Sequence, residues 1–130
     1  MSSDASAPMG TRAGVIVRLA GEARFLSAHL VRRFVPPPTL SDVAGTGLTM
    51  ALVDGQVLAI IAVGPRGSAL TVCEVGEELV GLLGADPEAV GFFEADAFGV
   101  SFRGAPVPEL DVAELVRASA RGAFEHEAEA

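Results

Sequence analysis

The amino-acid sequence predicts an all-β protein of two small, related β-barrels, with a short helix after the first hairpin and a second helix at the C-terminal end. Two observations carry this. Branched apolar runs alternate, four times along the chain, with glycine-containing dipeptides of the kind that close tight hairpins. Those dipeptides also recur in order: Gly21-Glu22 then Asp54-Gly55, and Gly76-Glu77 then Arg103-Gly104. The recurrence reads as two diverged copies of a two-hairpin unit. Closing each copy into a barrel removes the exposed edges that so many short strands would otherwise leave.

The elements follow in chain order. Residues 1–12 read as a disordered Ser/Ala-rich leader, without the basic start and apolar stretch of a signal peptide. Residues 14–20 and 23–27 form the first hairpin, with Gly21 as the first central residue of a type II′ turn. Ser27 can cap a short helix in which Leu30, Val31 and Phe34 share one face, until Pro36-Pro37-Pro38 forbids continuation. Residues 48–53 and 56–63 make the second hairpin around Asp54-Gly55, a type I′ signal. The strand at 57–63 is apolar on both faces and is expected inside the fold.

Residues 70–75 and 78–83 form the third hairpin around Gly76-Glu77. Residues 98–102 and 105–110 form the fourth, around Arg103-Gly104; Pro106 and Pro108 confine its second strand to an edge or to bulges. Asp111, with Glu114 three residues on, has the form of a capping box that opens the C-terminal helix. The reading is one domain over 13–121, with intertwined barrel halves at about 13–66 and 67–117, and an acidic tail at 122–130. Leu26, Ile60, Val72 and Leu82 are expected in the core.

Composition narrows the chemistry. The 130 residues contain no Lys, Asn, Tyr or Trp, and all nine basic side chains are Arg. A Schiff-base or phosphate-loop lysine and a tyrosine general acid are therefore excluded. The formal net charge of −8 argues against nucleic acid and anionic membrane surfaces, since each phosphate contact needs a cation and no basic cluster exceeds Arg32-Arg33. The longest apolar run, 57–63, is far short of the roughly 18 to 20 residues of a membrane span, so no membrane insertion is expected. One cysteine permits no internal disulfide, and the residue usage fits a bacterial cytoplasm.

Catalytic candidates fail one by one. Cys73 could pair with His29 or His126 only as an exposed thiolate, but it lies mid-strand between Val72 and Val75 and reads as a buried structural cysteine. Three Cys/His residues at 29, 73 and 126 lack zinc spacing, so no metal is expected. Glu77-Glu78 reads as a solvated turn, and Gly45-Thr46-Gly47 lacks the form of a phosphate loop. No enzyme and no cofactor are expected. The remaining class is a binding or scaffold module, the alternative being an unrelated small β-barrel for protein interaction or assembly. A barrel that binds a small molecule would need a cavity with convergent polar groups.

Over about 13–116 the order and spacing of these motifs resemble the CheW-like family of chemosensory adaptors, a domain also found in the histidine kinase CheA. Val15-Ile-Val-Arg-Leu-Ala-Gly-Glu-Ala-Arg-Phe25 is similar to the family's opening hairpin, and Leu30-Val-Arg-Arg-Phe34 to the element that follows it. Glu74-Val-Gly-Glu-Glu-Leu-Val-Gly-Leu-Leu83 resembles the strand pair opening the second barrel. Arg103-Gly-Ala-Pro-Val-Pro-Glu-Leu-Asp-Val-Ala-Glu-Leu-Val116 resembles the closing strand and helix.

The resemblance implies two five-stranded SH3-like barrels and no catalysis. It implies docking to a chemoreceptor signalling tip, with a CheA-type kinase or a second CheW-like protein as further partners. It places the partner site at Val31, Arg33, Phe34, Asp54 and Gly55. Departures accompany it. The family's N-L-R-G turn is here Leu52-Val53-Asp54-Gly55, an acid standing in place of the arginine, and the segment after it lacks the family's Pro and Asp. Two inter-strand connections are short, which implies missing strands or loops and weakened kinase coupling. Shortened accessory adaptors, such as the second adaptor of the myxobacterial Frz gliding-motility pathway, look like this reduced form.

Overall fold

The computed structural model describes residues 10–43, 45, 48–64 and 68–119. The expected leader before residue 10 and the tail from 120 onward lie outside the described residues. Eleven strands form two sheets: β1 (Thr11–Leu19), β2 (Glu22–Ser27), β3 (Val31–Val35), β4 (Leu40–Val43), β5 (Leu48–Val53), β6 (Gln56–Ala62), β7 (Leu70–Val75), β8 (Glu78–Leu83), β9 (Asp86–Ala95), β10 (Gly99–Phe102) and β11 (Ala105–Pro108). Among the described residues one α-helix, α1, spans 112–119. Asp111 caps it as expected, its Oδ1 accepting from the Glu114 N–H at 3.0 Å.

Contacts divide the chain into two compact units, one of Met1–Val31 with Asp86–Leu110 and one of Arg32–Ala85 with Asp111–Ala130. The first unit carries a five-stranded sheet in the order β11-β10-β9-β1-β2. A parallel bridge from Phe25 to Glu109, and the Leu110 N–H donating to the Phe25 carbonyl at 2.8 Å, bring its two edges together. The second unit carries a six-stranded sheet in the order β3-β7-β8-β6-β5-β4. Each unit thus has at least the five strands that the resemblance implies for a barrel. The units divide at 31/32, 85/86 and 110/111, because hairpin one pairs through β9 with hairpin four, and hairpins two and three share the other sheet.

Turn chemistry explains the hairpins. Asp54 and Gly55 have φ of 50° and 82°, and Arg103 and Gly104 have 55° and 79°, the double left-handed signature of type I′. At Gly76-Glu77 only the glycine is left-handed, at 64°, which fits type II′. The first hairpin departs from its expected turn. Ala20 (53°) and Gly21 (87°) are the central residues and Glu22 already pairs with Leu19, so the turn is type I′ and sits one residue earlier than expected.

Two further elements differ. The helix expected after Ser27 contracts to one 3-10 turn, Ala28–Leu30, in which Ser27 makes no capping bond. Its hydroxyl instead meets Nδ1 of His29 at 2.8 Å. Branched Val31 and Val35 then favour strand over helix, and β3 follows. β1 also begins at Thr11, inside the expected leader. Arg12 is fixed there by two hydrogen bonds to the Glu109 carboxylate, at 2.8 and 3.0 Å, and by its guanidinium 4.8 Å from the Phe25 ring centre.

Each unit has a core cluster of its own residues. In the first unit Ile16, Phe25, Val100 and Val107 pack with Phe93 and Phe102, and Phe93 meets both Phe25 and Phe102 edge-on. In the second, Ala51, Val53, Leu58, Ile60, Leu70, Val72 and Leu83 form the cluster, joined by half-buried Val35 and Leu40 from the two edge strands. Leu26, Ile60, Val72 and Leu82 are all buried, as expected. β6 is less enclosed than its composition implies: Leu58 and Ile60 are buried, whereas Val57 on the alternate face is exposed. β11, with Pro106 and Pro108, ends its sheet's strand order, where missing N–H donors cost least.

Candidate docking surface

Cys73 is buried on β7, and burial pushes its thiol up to about 11, so at neutral pH it is a thiol and not a nucleophilic thiolate. Among the described residues no group of three or more His, Cys, Asp or Glu side chains could hold a metal ion. Nor does any helix among them have the length and apolarity to cross a membrane.

Of the residues singled out in the sequence, Arg33 and Asp54 meet directly in the second unit. β3 places Arg33 on the β5–β6 turn, where its guanidinium forms an ion pair with Asp54, and Gly55 is the next residue of that turn. Beside it Arg32 pairs with Glu74 on β7, Nε to carboxylate 2.6 Å. Below these two ion pairs lies a cavity of about 300 Å³ whose floor is Val53, Leu58, Val72 and Leu79, with Gln56 at its edge. Strand alternation separates the apolar pair: Val31 is half-buried, whereas Phe34 projects opposite to core-packed Val35 and is 39% exposed. They do not share one face, as a helix would have required.

A second set was missed. On β9, Glu88, Val90, Phe92 and Glu94 alternate outward, with Val90 73% and Phe92 76% exposed, an apolar pair bracketed by acids. Glu88 is held by Arg18 Nε at 2.7 Å and Arg103 Nη1 at 3.3 Å, and the Arg18 hydrogen bond keeps its carboxyl below the usual range. After the strand, Asp96 Oδ1 accepts from the N–H groups of Phe98 and Gly99, both at 2.9 Å, and this turn presents Phe98 84% exposed. The signal was in the sequence: in Val90-Gly-Phe-Phe-Glu94 both phases of the alternation carry apolar side chains, one more face than the unit's core can take.

Eleven strands in two closely wound units, one barrel-like, without a catalytic constellation among the described residues, match a known architecture. This is the fold of a CheW-type scaffold. The structure is similar to that of the scaffolding protein TtCheW from Thermoanaerobacter tengcongensis, with a TM-score of 0.54 and 18% identity, over 65% of this chain and 66% of that one. The match thus spans about two thirds of the TtCheW chain. No protein-family model matches the sequence, and no curated protein matches it significantly. The CheW-type fold agrees with the architecture that the motif order implied, two β units with a C-terminal helix.

Proposed function

We propose that this chain is a non-catalytic CheW-like adaptor of a bacterial chemosensory complex, working in the cytoplasm. It docks to the signalling tip of a chemoreceptor or to a second adaptor and couples weakly to a CheA-type kinase. An accessory role of the kind held by the second adaptor of the Frz gliding-motility pathway fits this balance. The observation that supports the reading is an exposed apolar pair, Val90 and Phe92, on a CheW-type fold. Apolar side chains ringed by polar ones are what a recognition surface needs to exclude water from its centre. Weak kinase coupling rests on the β5–β6 turn. Where the family offers an arginine to a partner, this chain offers Asp54, already satisfied by Arg33.

Titration of the purified chain against a receptor signalling tip and, separately, against the regulatory domain of a CheA-type kinase tests the proposal. Binding to the receptor tip with at least tenfold weaker binding to the kinase domain is expected. Equal affinities would make this an ordinary coupling adaptor; no binding to either would favour an unrelated assembly module.

A further inference from the structure

The six-stranded sheet of the second unit turns Leu58, Ile60, Val72 and Leu83 toward its core cluster, and the alternate side chains of the same strands form its outer face. Burial on that outer face falls steadily from one side to the other. On β7 and β8 Cys73, Val80 and Leu82 are buried. On β6 Ala59 and Ile61, the partners of Val80 and Leu82, are half-buried. There α1 closes one end of the face, since Val116 and Ser119 line a notch of about 170 Å³ with Leu48, Ala59 and Ile61. Toward the β5–β6 turn the cover is lost: Leu52 and Val57, directly opposed across the two strands, are 67% and 63% exposed. Met50, opposed to Ala59, is half-buried, and Val43, opposed to Leu48, is exposed on β4. Apolar side chains opposed across neighbouring strands make one contiguous strip, unlike single apolar residues scattered over a surface.

We propose that this strip docks one basic amphipathic helix of a partner protein. The dimensions fit. From Leu48 to Leu52 a strand advances about 13 Å, and from β6 to β4 the sheet spans about 10 Å. An α-helix is about 10 Å across and covers that length with about nine residues. Its apolar stripe meets Met50, Leu52 and Val57, the helix-on-sheet packing by which layered folds bury an apolar face. The charge comes from β8. Glu78 projects on the same face as Val80, and it lines both the notch beside α1 and a cavity of about 430 Å³ that Val57, Ala59 and Glu77 also line. Among the described residues neither Glu77 nor Glu78 has an ion-pair partner, so a lysine or arginine at the margin of the helix meets acids not yet neutralised. A second copy of this chain is the poorer occupant: at a formal net charge of −8 its approach brings acid toward acid. The strip is independent of the receptor surface proposed on β9.

The test titrates the full-length chain with a synthetic peptide of about twelve residues, leucine along one helical face and lysine along its margins, and with a counterpart carrying glutamate in place of lysine. The lysine peptide should turn helical by circular dichroism as it binds and should shift the amide signals of residues 50–52 and 57–59. The glutamate peptide should bind at least about tenfold more weakly. Glu77→Lys with Glu78→Lys should reverse that preference, and Leu52→Ser with Val57→Ser should weaken the lysine peptide by about tenfold. All four side chains are exposed, so the unfolding midpoints should stay near that of the unsubstituted chain. No binding, equal binding of the two peptides, a preference that survives the charge reversal, or shifts centred on β9 would overturn the proposal. So would signals at Leu52 and Val57 that move with the chain's own concentration in the absence of peptide, since the strip would then belong to a second copy.

Discussion

Arg33 on β3 and Asp54 at the tip of the β5–β6 hairpin form an ion pair that ties an edge strand of the second unit to the turn of another hairpin. Both side chains stay well exposed, so the pair contributes no more than about 1 kcal/mol to stability. Its consequence is chemical. The acid at this turn is neutralised within the chain, and neither partner's charge is fully available to another protein.

Asp54→Arg should therefore change binding far more than folding. The turn tolerates arginine: Arg103 occupies the matching position of the β10–β11 turn at φ 55°, against 50° for Asp54. We expect an unfolding free energy within about 1 kcal/mol of the unsubstituted chain. Affinity for the kinase regulatory domain should rise by about tenfold, the scale of one charge-assisted hydrogen bond. Calorimetric titration beside a denaturant curve checks both, and an unchanged affinity would remove this turn from the kinase interface.

Leu82→Ala should cost about 2 to 5 kcal/mol, because the side chain is fully buried on β8, at the centre of the six-stranded sheet. Urea unfolding gives the value. An essentially unchanged midpoint would contradict the packing described above.

Local chemistry was legible in the sequence; long-range pairing was not. Three of the four turns followed from dipeptides whose glycine must be left-handed, and the α1 cap from the spacing of Asp111 to Glu114. The first turn slipped by one because Ala20 accepts a left-handed φ that alanine rarely adopts, a choice only tertiary packing can impose. β9 escaped notice because Pro87 and Gly91 interrupt it and acids sit on its outward face. Without β9 the pairing of hairpin one with hairpin four could not be seen, since it runs through the β1–β9 ladder. At the candidate site, Arg33 and Asp54 were each singled out, yet their union depends on where β3 joins the edge of the sheet, and no local spacing encodes that.

Cys73 gives a pH dependence with a definite sign. Burial raises its thiol from an ordinary 9.0 to about 11, so the folded state resists ionisation that the unfolded state permits. The neutral thiol's contribution is complete below pH 9 and is lost as pH rises toward 11, amounting to about 2 to 3 kcal/mol at the upper end. Cys73→Ala should flatten that alkaline decline. Thiol-specific labelling of the native chain at neutral pH should be slow and should accelerate on unfolding; rapid native labelling would reopen the case for a nucleophile.

Two phenylalanines distinguish where a partner docks. Phe34 on β3 is the residue that sequence order favoured, whereas Phe92 on β9 is the more exposed, at 76% against 39%. Neither belongs to a buried cluster, so Phe34→Asp and Phe92→Asp should each leave the unfolding midpoint nearly unchanged. Their effects on receptor-tip binding should differ. An aromatic side chain at the centre of an interface commonly carries 2 kcal/mol or more, about thirtyfold in affinity, while one at the rim carries little. We expect Phe92→Asp to lose at least tenfold and Phe34→Asp less, because Val90 beside Phe92 widens the apolar centre and Glu88 and Glu94 supply a polar rim. The reverse ranking would move the docking surface to β3 and the Arg33–Asp54 turn, and equal losses would require a partner broad enough to touch both.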